Sequence, residues 1–401
     1  MMPNGWESGV IEDIAQVSSG GTPSRKKDSY WVNGTIPWVT TAEVKFNVIT
    51  DTEQKITEEG LQKSSAKLYP KDTILMAMYG QGKTRGQVAK LGIEASTNQA
   101  CAALQLNAGF NVDYYYQYLT SQYENIRELA NSGGQQNLSG GIVKEIQVPI
   151  PPLPEQQKIA KILSTWDKAI STTERLIENS IQQKKALMQQ LLTGKKRLLD
   201  ESGQRFEGEW EEVIFGEVTK LSSKKYNPLK ANQCLPCIEL EHLDQSSGRI
   251  IGSENASELA SIKNYFEAGS VLFGKLRPYL RKYARPDFEG VCSTEIWVFK
   301  TTSKLLDEYL FHFVQTDKFV SEANKSSGSK MPRADWGVVS ELVIKIPSLK
   351  EQQKTATVLT NADKEIELLE QQLADFQQEK KALMQVLLTG KKRVVVDGAV
   401  A

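Results

Sequence analysis

The sequence predicts an α+β protein: two globular domains separated by two long antiparallel coiled-coil helices, arranged as an internal duplication with pseudo-two-fold symmetry. Three observations lead there. A 47-residue segment recurs without gaps, each copy carries an apolar stripe at coiled-coil spacing, and each comes after about 150 residues of short β-type runs mixed with helical patterns.

The recurrence sets the frame. Residues 151–197 read PPLPEQQKIAKILSTWDKAISTTERLIENSIQQKKALMQQLLTGKKR, and residues 347–393 repeat them with 26 of the 47 positions identical. The preceding segments correspond more faintly. Trp6-Glu7 matches Trp210-Glu211, Pro37-Trp38-Val39 matches Pro236-Cys237-Ile238, and Asp72–Leu75 matches Gly269–Leu272. Ser96-Thr97 matches Ser293-Thr294, and Val112–Tyr115 matches Leu306–Tyr309. The expected organisation is a first globular domain at 1–150, a central helix at 151–197, a second globular domain at 198–346, a C-terminal helix at 347–393 and a tail at 394–401. Within the domains, Thr73–Met78, Ser270–Phe273, Trp297–Lys300 and Leu342–Ile346 read as strands bounded by Gly, Pro and Asn clusters, while Val112–Ile126 and Leu305–Val320 read as helices. The domains diverge and the helices hardly do, as expected of two similar modules adapted to different targets and joined by similar struts.

Each helix begins after a proline-rich stop and ends at a glycine, Gly194 or Gly390, with three basic residues beyond it. About 40 helical residues make a rod of roughly 60 Å. Alternating steps of four and three select Ile159, Leu163, Trp166, Ile170, Thr173, Ile177, Ser180, Lys184, Leu187 and Leu191 in the first helix. In the second they select Thr355, Leu359, Ala362, Ile366, Leu369, Leu373, Phe376, Lys380, Leu383 and Leu387. That is a coiled-coil seam; the alternative is that each stripe packs on its own globular domain. An antiparallel arrangement pairs Lys184 with Asp363 and Lys380 with Asp167; alternatively each lysine bends its stem along the seam and ends in water.

Composition excludes several classes. With 401 residues, 40% hydrophobic and 24% charged, the chain has the make-up of a soluble globular protein of two or three domains. The apolar runs are strand-sized, no membrane association is expected, the N-terminus does not read as a signal peptide, and four cysteines make no disulfide framework, so a cytoplasmic location is expected. A formal net charge of +0 argues against a stand-alone DNA binder, yet basic residues cluster locally at Arg25–Lys27, Lys83–Arg85, Lys224–Lys225 and, most densely, in KLRPYLRKYAR at 275–285. Any one of these clusters could equally be a solvated face. The run Ala77-Met-Tyr-Gly-Gln-Gly82-Lys83-Thr84 approaches a phosphate-binding loop, but Arg85–Gly92, with two glycines, reads as a turn into a strand instead of a helix. Cys234 and Cys237 with His242 would be half of a zinc site whose second half is missing, so buried thiols are the simpler reading. Two histidines leave little for acid–base chemistry, and neither a dinucleotide fingerprint nor an amino-methyltransferase motif is seen. No catalysis, cofactor or metal is therefore expected of this chain.

Taken together these parts resemble the specificity subunits of type I restriction–modification enzymes over about residues 4–393. The resemblance rests on PPLPEQQ at the helix start, on Ser96-Thr97-Asn98-Gln99-Ala100 and Gly133–Leu138 in the first domain, and on Lys275–Leu280 and Cys292–Glu295 in the second. It implies two target-recognition domains, each reading one half of a bipartite double-stranded DNA target, with the paired helices acting as a ruler and as the dock for two methyltransferase subunits. Those partners would bring S-adenosylmethionine, and translocating endonuclease subunits would use ATP and magnesium. Arg and Lys suit guanine and Asn and Gln suit adenine, so the candidate DNA contacts are Lys83, Arg85, Asn98, Gln99, Gln135, Gln136 and Asn137, then Lys275, Arg277, Arg281, Lys282, Lys330 and Arg333. For each, a phosphate contact or plain surface polarity is the alternative, and Asn98 and Gln99 could instead serve the domain fold. Rival readings are a recognition subunit of the same build in another DNA-modification or phage-defence system, and a coiled-coil scaffold that binds no DNA.

Overall fold

Short strands form where the sequence alternates or runs apolar between turn residues, and they arrange the chain into two units that cut across its linear order. In the computed structural model, which describes residues 3–80, 82–131, 137–230, 234–259, 261–325 and 331–396, one unit combines the residues up to Glu174 with those from Gln371 onward, and the other is Arg175–Glu370. The divisions fall inside the long helices and not at their ends, because each unit takes the start of one helix and the end of the other.

In the first unit, Glu7–Val10 pairs antiparallel with Gln147–Ile150, so the strand that opens the domain lies beside the one that closes it. A five-stranded sheet has the order Ala15–Ser19, Cys101–Leu106, Ile74–Ala77, Val88–Leu91, Val48–Ile49, and a four-stranded sheet the order Gln54–Ile56, Ile36–Val39, Ala95–Thr97, Leu68–Tyr69. Ile74–Ala77 is buried throughout, as its unbroken apolar run requires. The core gathers Ile74, Met76, Leu104, Tyr114 and Leu119 with Ile159 and Leu163 from the central helix and Leu387 from the C-terminal one.

The second unit repeats this plan. Glu211–Ile214 pairs with Val343–Ile346. Thr219–Leu221, Ile296–Thr301, Val271–Gly274 and Tyr283–Ala284 form one sheet, and Lys225–Tyr226, Lys263–Phe266, Gly290–Cys292, Pro236–Ile238 and Glu254–Asn255 the other. Phe215, Phe273, Phe299, Phe313 and Phe319 fill the core beside Leu191 and Leu359 of the helices.

Two correspondences read from the sequence shift. Asn111 and Leu306 are the N-caps of equivalent helices and present their N–H groups to Gln156 and Gln352, so Val112–Tyr115 corresponds to Asp307–Leu310 and the match to Leu306–Tyr309 slips by one residue. Trp38 and Val39 pair in parallel with Ser96 and Thr97, and Cys237 and Ile238 pair with Val291 and Cys292. Thr97 is therefore the counterpart of Cys292, and Asn98 that of Ser293. Matching Ser96-Thr97 to Ser293-Thr294 slips by two residues, which the period-two pattern of a strand cannot reveal. The helical stretches are also broken in two: Val112–Ser121 precedes Tyr123–Asn131, and Asp307–Phe313 precedes Asp317–Ala323, whose first turn Thr316 caps. Of the cysteines, Cys101, Cys237 and Cys292 are buried and Cys234 is exposed, which corrects the reading of both Cys234 and Cys237 as buried thiols.

The long helices are Leu153–Leu191 and Leu349–Leu387, 39 residues each. All ten seam positions of each stripe are buried or half-buried, including Trp166, Ile170, Ile177 and Leu187 in the first and Ile366, Leu369, Leu373 and Leu383 in the second. Part of the stripe serves the globular cores, as Leu163 and Leu359 do. Another part meets the other helix: within the first unit the rings of Trp166 and Phe376 meet edge to face, with centroids 5.6 Å apart.

Each unit closes with the same clasp. In the first, Glu155 at the start of the central helix is nearly buried and accepts hydrogen bonds from Arg393 Nε (2.8 Å) and Trp6 Nε1 (3.3 Å), while Arg393 also donates to the Asn4 carbonyl at 2.6 Å. In the second, Glu351 is 2% exposed and accepts from Arg197 Nη2 at 2.6 Å, and Trp210 lies under that guanidinium. Gly194 and Gly390 make both clasps possible. Both are left-handed (φ 71° and 69°), and a Cβ would come within 3.3 Å of Trp210 at the first and 2.2 Å of Pro3 at the second. The neighbouring glutamines fasten the domains to the helix starts. Gln156 accepts from the Asn111 N–H and donates to the Pro151 carbonyl, and Gln352 bonds the Leu306 N–H and the Pro347 carbonyl in the same way.

Inside each unit the helix segments run antiparallel and carry one polar pair. Lys380 Nζ lies 2.5 Å from Asp167 Oδ1 in the first unit, and Lys184 Nζ 2.5 Å from Asp363 Oδ1 in the second. Domain side chains complete each cluster. Gln117 donates to Asp167, and at the equivalent place His312 puts Nε2 3.1 Å from Thr360 Oγ1 and Nδ1 4.0 Å from Asp363. Burial, reinforced by the charge of Lys184, keeps that imidazole neutral, its pKa pushed down to about 3. Burial also raises the Asp363 carboxyl while Lys184 opposes it. A double-mutant cycle on Lys184→Met and Asp363→Asn, read by denaturant unfolding, is expected to give a coupling of about 1 kcal/mol; a value within ~0.3 kcal/mol of zero would show the two side chains acting independently.

Candidate nucleic-acid interface

The segments that carry the candidate DNA contacts are far apart in sequence and are joined by the backbone. In the first unit, Met78 N donates to the Ala100 carbonyl at 2.8 Å, and Leu138 N donates to the Met78 carbonyl at 3.0 Å. Three loops thus meet: 78–87 with Lys83 and Arg85, 98–100 with Asn98 and Gln99, and the approach to the helix Gly140–Lys144 with Asn137. In the second unit, Lys275 N donates to Glu295 O at 2.9 Å and Ala334 N to Lys275 O at 2.8 Å. The same frame therefore gathers 275–282, 293–295 and 331–334, and Arg333 stands where Asn137 does.

The side chains on that frame differ in how far their own domain engages them. Lys83 is exposed on a loop braced by Tyr123, whose hydroxyl donates to the Lys83 carbonyl at 2.5 Å, and by Arg127, which donates to Gly82 O at 2.8 Å. Arg85 is half-buried and Asn137 exposed. Asn98 Oδ1 accepts the Ala100 N–H at 3.1 Å and so shapes its own turn, and Gln99 accepts from Thr22 Oγ1 at 2.5 Å. A cleft of about 590 Å³ opens beside these loops, lined by Met78, Tyr79, Gln99, Ser139, Lys67 and Lys144. Gln135, Gln136 and Lys330 lie outside the described residues.

In the second unit the dense basic run is largely committed inward. Arg281 Nη1 donates to Gln315 O at 2.9 Å and its other terminal nitrogen pairs with Asp317. Lys282 Nζ donates to Leu240 O at 2.6 Å, Arg285 pairs with Glu308, and Arg333 Nε lies 3.0 Å from Glu295. Lys275 is half-buried and Arg277 exposed; neither head group has a bonding partner among the described residues. Arg277 (φ 52°) and Arg281 (φ 50°) both hold the left-handed backbone, which costs a non-glycine residue of order 1 kcal/mol.

Several residues that matter here do not stand out as candidates in the sequence: Glu155, Glu351, Gln156, Gln352, Arg197 and Arg393. A signal for them exists, since all are polar identities between the two repeats. Among the described residues the group with metal-ligand spacing is Glu241, His242 and Glu254, and it includes neither Cys234 nor Cys237. His242 Nδ1 accepts the Glu239 N–H at 3.0 Å, which puts the ring proton on Nε2 and leaves no lone pair free for an ion.

Residues 3–183 and 207–377 match the family model for the type I restriction modification DNA specificity domain. The chain is similar to the specificity subunit of the type I restriction enzyme MjaIX of Methanocaldococcus jannaschii, with 28% identity covering 68% of this chain and 67% of that one. It is also similar to the MjaVIII specificity subunit of the same organism, at 25% identity over 98% of this chain and 94% of that one. Among solved structures, the S subunit of a type I restriction-modification system from M. genitalium shares the fold, with a TM-score of 0.61 at 18% identity covering 97% of this chain and 98% of that one.

The two left-handed arginines differ in what their side chains do. Arg277→Gly is expected to leave the protein as stable as the parent or up to ~1 kcal/mol more so, because the strain is relieved and no side-chain bond to a described residue is lost. Arg281→Gly loses the bonds to Gln315 and Asp317 and is expected to cost about 1 kcal/mol net. Thermal unfolding of the two variants checks the contrast.

Proposed function

The chain belongs to the type I restriction modification DNA specificity family, which both of its halves match, and from this membership we propose that each globular domain reads one half of a bipartite double-stranded DNA target. The observation that carries the reading is the three-loop frame, present twice with different side chains: Lys83, Arg85 and Asn137 on one copy, Lys275, Arg277 and Arg333 on the other. One frame bearing two sets of donors suits two unlike half-sites. Arg and Lys reach guanine O6 and N7, and Asn reaches adenine N6 and N7. The inward pairing of much of the basic surface fits a subunit whose phosphate contacts are shared with partners.

The paired helices would set the distance between half-sites and dock two methyltransferase subunits. Those subunits would supply S-adenosylmethionine and flip the adenine to be methylated, and translocating nuclease subunits would use ATP and magnesium. The chain itself would contribute no reacting group, only position and sequence choice, in a cytoplasmic complex. No helix among the described residues is long and apolar enough to cross a membrane.

Two experiments test this. Exchanging residues 1–150 for the first domain of another family member, in a host carrying the partner subunits, is expected to change one half of the methylated motif and leave the other; a change in both halves would refute independent reading. Adding four residues to each long helix, between Asp167 and Lys184 and between Asp363 and Lys380, lengthens each rod by about 6 Å. The unspecified gap in the motif is then expected to grow by roughly one or two base pairs at 3.4 Å each. Full methylation at the original spacing alone would show that the helices do not set the distance.

A further inference from the structure

The loop after Val271–Gly274 is strained and rigid, and it exposes two side chains. Arg277 and Arg281 flank a single turn, Pro278–Leu280, and both are left-handed. Backbone bonds place Arg281 where the first unit has Gly86, since Ala77 N donates to Gln87 O as Gly274 N donates to Lys282 O. Gly86 is left-handed too (φ 85°), and glycine takes that conformation without strain. The second unit keeps an arginine there and uses its guanidinium to hold Gln315 and Asp317. Arg277 carries the same strain with no such return: its guanidinium is exposed and meets no group among the described residues.

The turn does not owe its conformation to looseness. Arg277 N donates to Pro332 O at 2.8 Å, Ser246 N donates to Arg281 O at 3.0 Å, Leu276 bridges to Arg333, Gln245 bridges to Lys282, and Pro278 is buried. What this scaffold lifts into solvent is Tyr279, 52% exposed, beside Arg277. A planar cation and a flat ring, carried two residues apart on a rigid backbone turn, are suited to adjoining base pairs of a groove, because little backbone freedom is lost on binding. Strain kept without a side-chain partner among the described residues points to a partner outside the chain.

Resting on the reading that the second domain recognises one half-site, we propose that Arg277 and Tyr279 are its specificity-determining pair. Arg277 takes a guanine through two hydrogen bonds to O6 and N7, and the Tyr279 ring packs on the edge of the adjoining base pair. Lys275, Arg281, Lys282 and Arg333 then support or position this pair.

The test uses the assembled complex in a host with its partner subunits, with Arg277→Gly, Arg277→Lys, Tyr279→Ala and Tyr279→Phe, read by mapping methylated adenines genome-wide and by binding to cognate and scrambled duplexes. Arg277→Gly keeps the turn, so a change in the motif is not a folding defect. It and Arg277→Lys are expected to make one guanine of the second half-site degenerate, with cognate binding lowered roughly ten- to a hundredfold and the first half-site unchanged. Tyr279→Ala is expected to relax the neighbouring position, and Tyr279→Phe to retain it. A bipartite motif that survives Arg277→Gly and Tyr279→Ala unaltered overturns the inference alone, as does an equal loss on cognate and scrambled DNA, which marks a phosphate contact. A parent complex that methylates no bipartite motif overturns the underlying reading as well.

Discussion

A glutamate with almost no access to water governs the architecture of each unit. An ionised carboxylate cannot be left unpaired in such a place, so Glu155 and Glu351 each bind the arginine that comes after the other helix's glycine cap. The pairing brings together a helix start, a helix end and the tryptophan that opens a domain, three points that would otherwise be free to move. Charge, ring and backbone carbonyl converge on the guanidinium, which is the many-sided contact that arginine makes and lysine cannot. The identities Glu155/Glu351, Gly194/Gly390 and Arg197/Arg393 between the repeats follow from this duty, because residues that must fit the same clasp twice have little room to differ.

With the clasps and the glutamine fastenings in place, each domain can vary its loops without losing its seat on the helices. The two candidate surfaces illustrate how differently one frame can be finished. The first unit turns its loop with Gly80, Gly82 and Gly86 and braces it from outside with Tyr123 and Arg127. The second turns it with two arginines, one of which reaches back to its own domain. The polar seam pairs show the same economy: one Lys–Asp pair per unit, completed by Gln117 in one and by a neutral His312 in the other.

Much of this was legible in the sequence. The gapless repeat located the helices to within a few residues, the four-three spacing marked positions that are all turned inward, and the lysines in the seam pointed to the aspartates they meet. Where the reading stopped, local pattern had ceased to carry information. A two-residue slip in a strand leaves every side chain on its face, so Thr97 was matched to Thr294 instead of Cys292. The basic run at 275–285 looked uniform, yet Gln315, Asp317, Leu240 and Glu308, which take up three of its cations, come from elsewhere in the chain and leave no mark beside it. The convergence of three loops depends on two backbone hydrogen bonds in each unit, to which side-chain identity contributes nothing. The clasp was visible as repeated Glu, Gln and Arg, but its meaning required knowing that the glutamates are buried.

The interleaving of the units has a consequence for synthesis on the ribosome. Arg175–Glu370 is one continuous stretch and can fold as it emerges, whereas the unit begun by the first 174 residues lacks its last helical segment until residues 371–393 have been translated. At about 5–20 residues per second, that leaves an interval of roughly 10–40 s in which Glu155 has no arginine and Ile159, Leu163 and Trp166 have no Leu387 or Phe376 to cover them. The nascent chain therefore carries an incomplete apolar face and an unpaired acid throughout the synthesis of its other unit. It is in this window, before the chain is finished, that the N-terminal part is most exposed to chaperones, proteases and association with other chains.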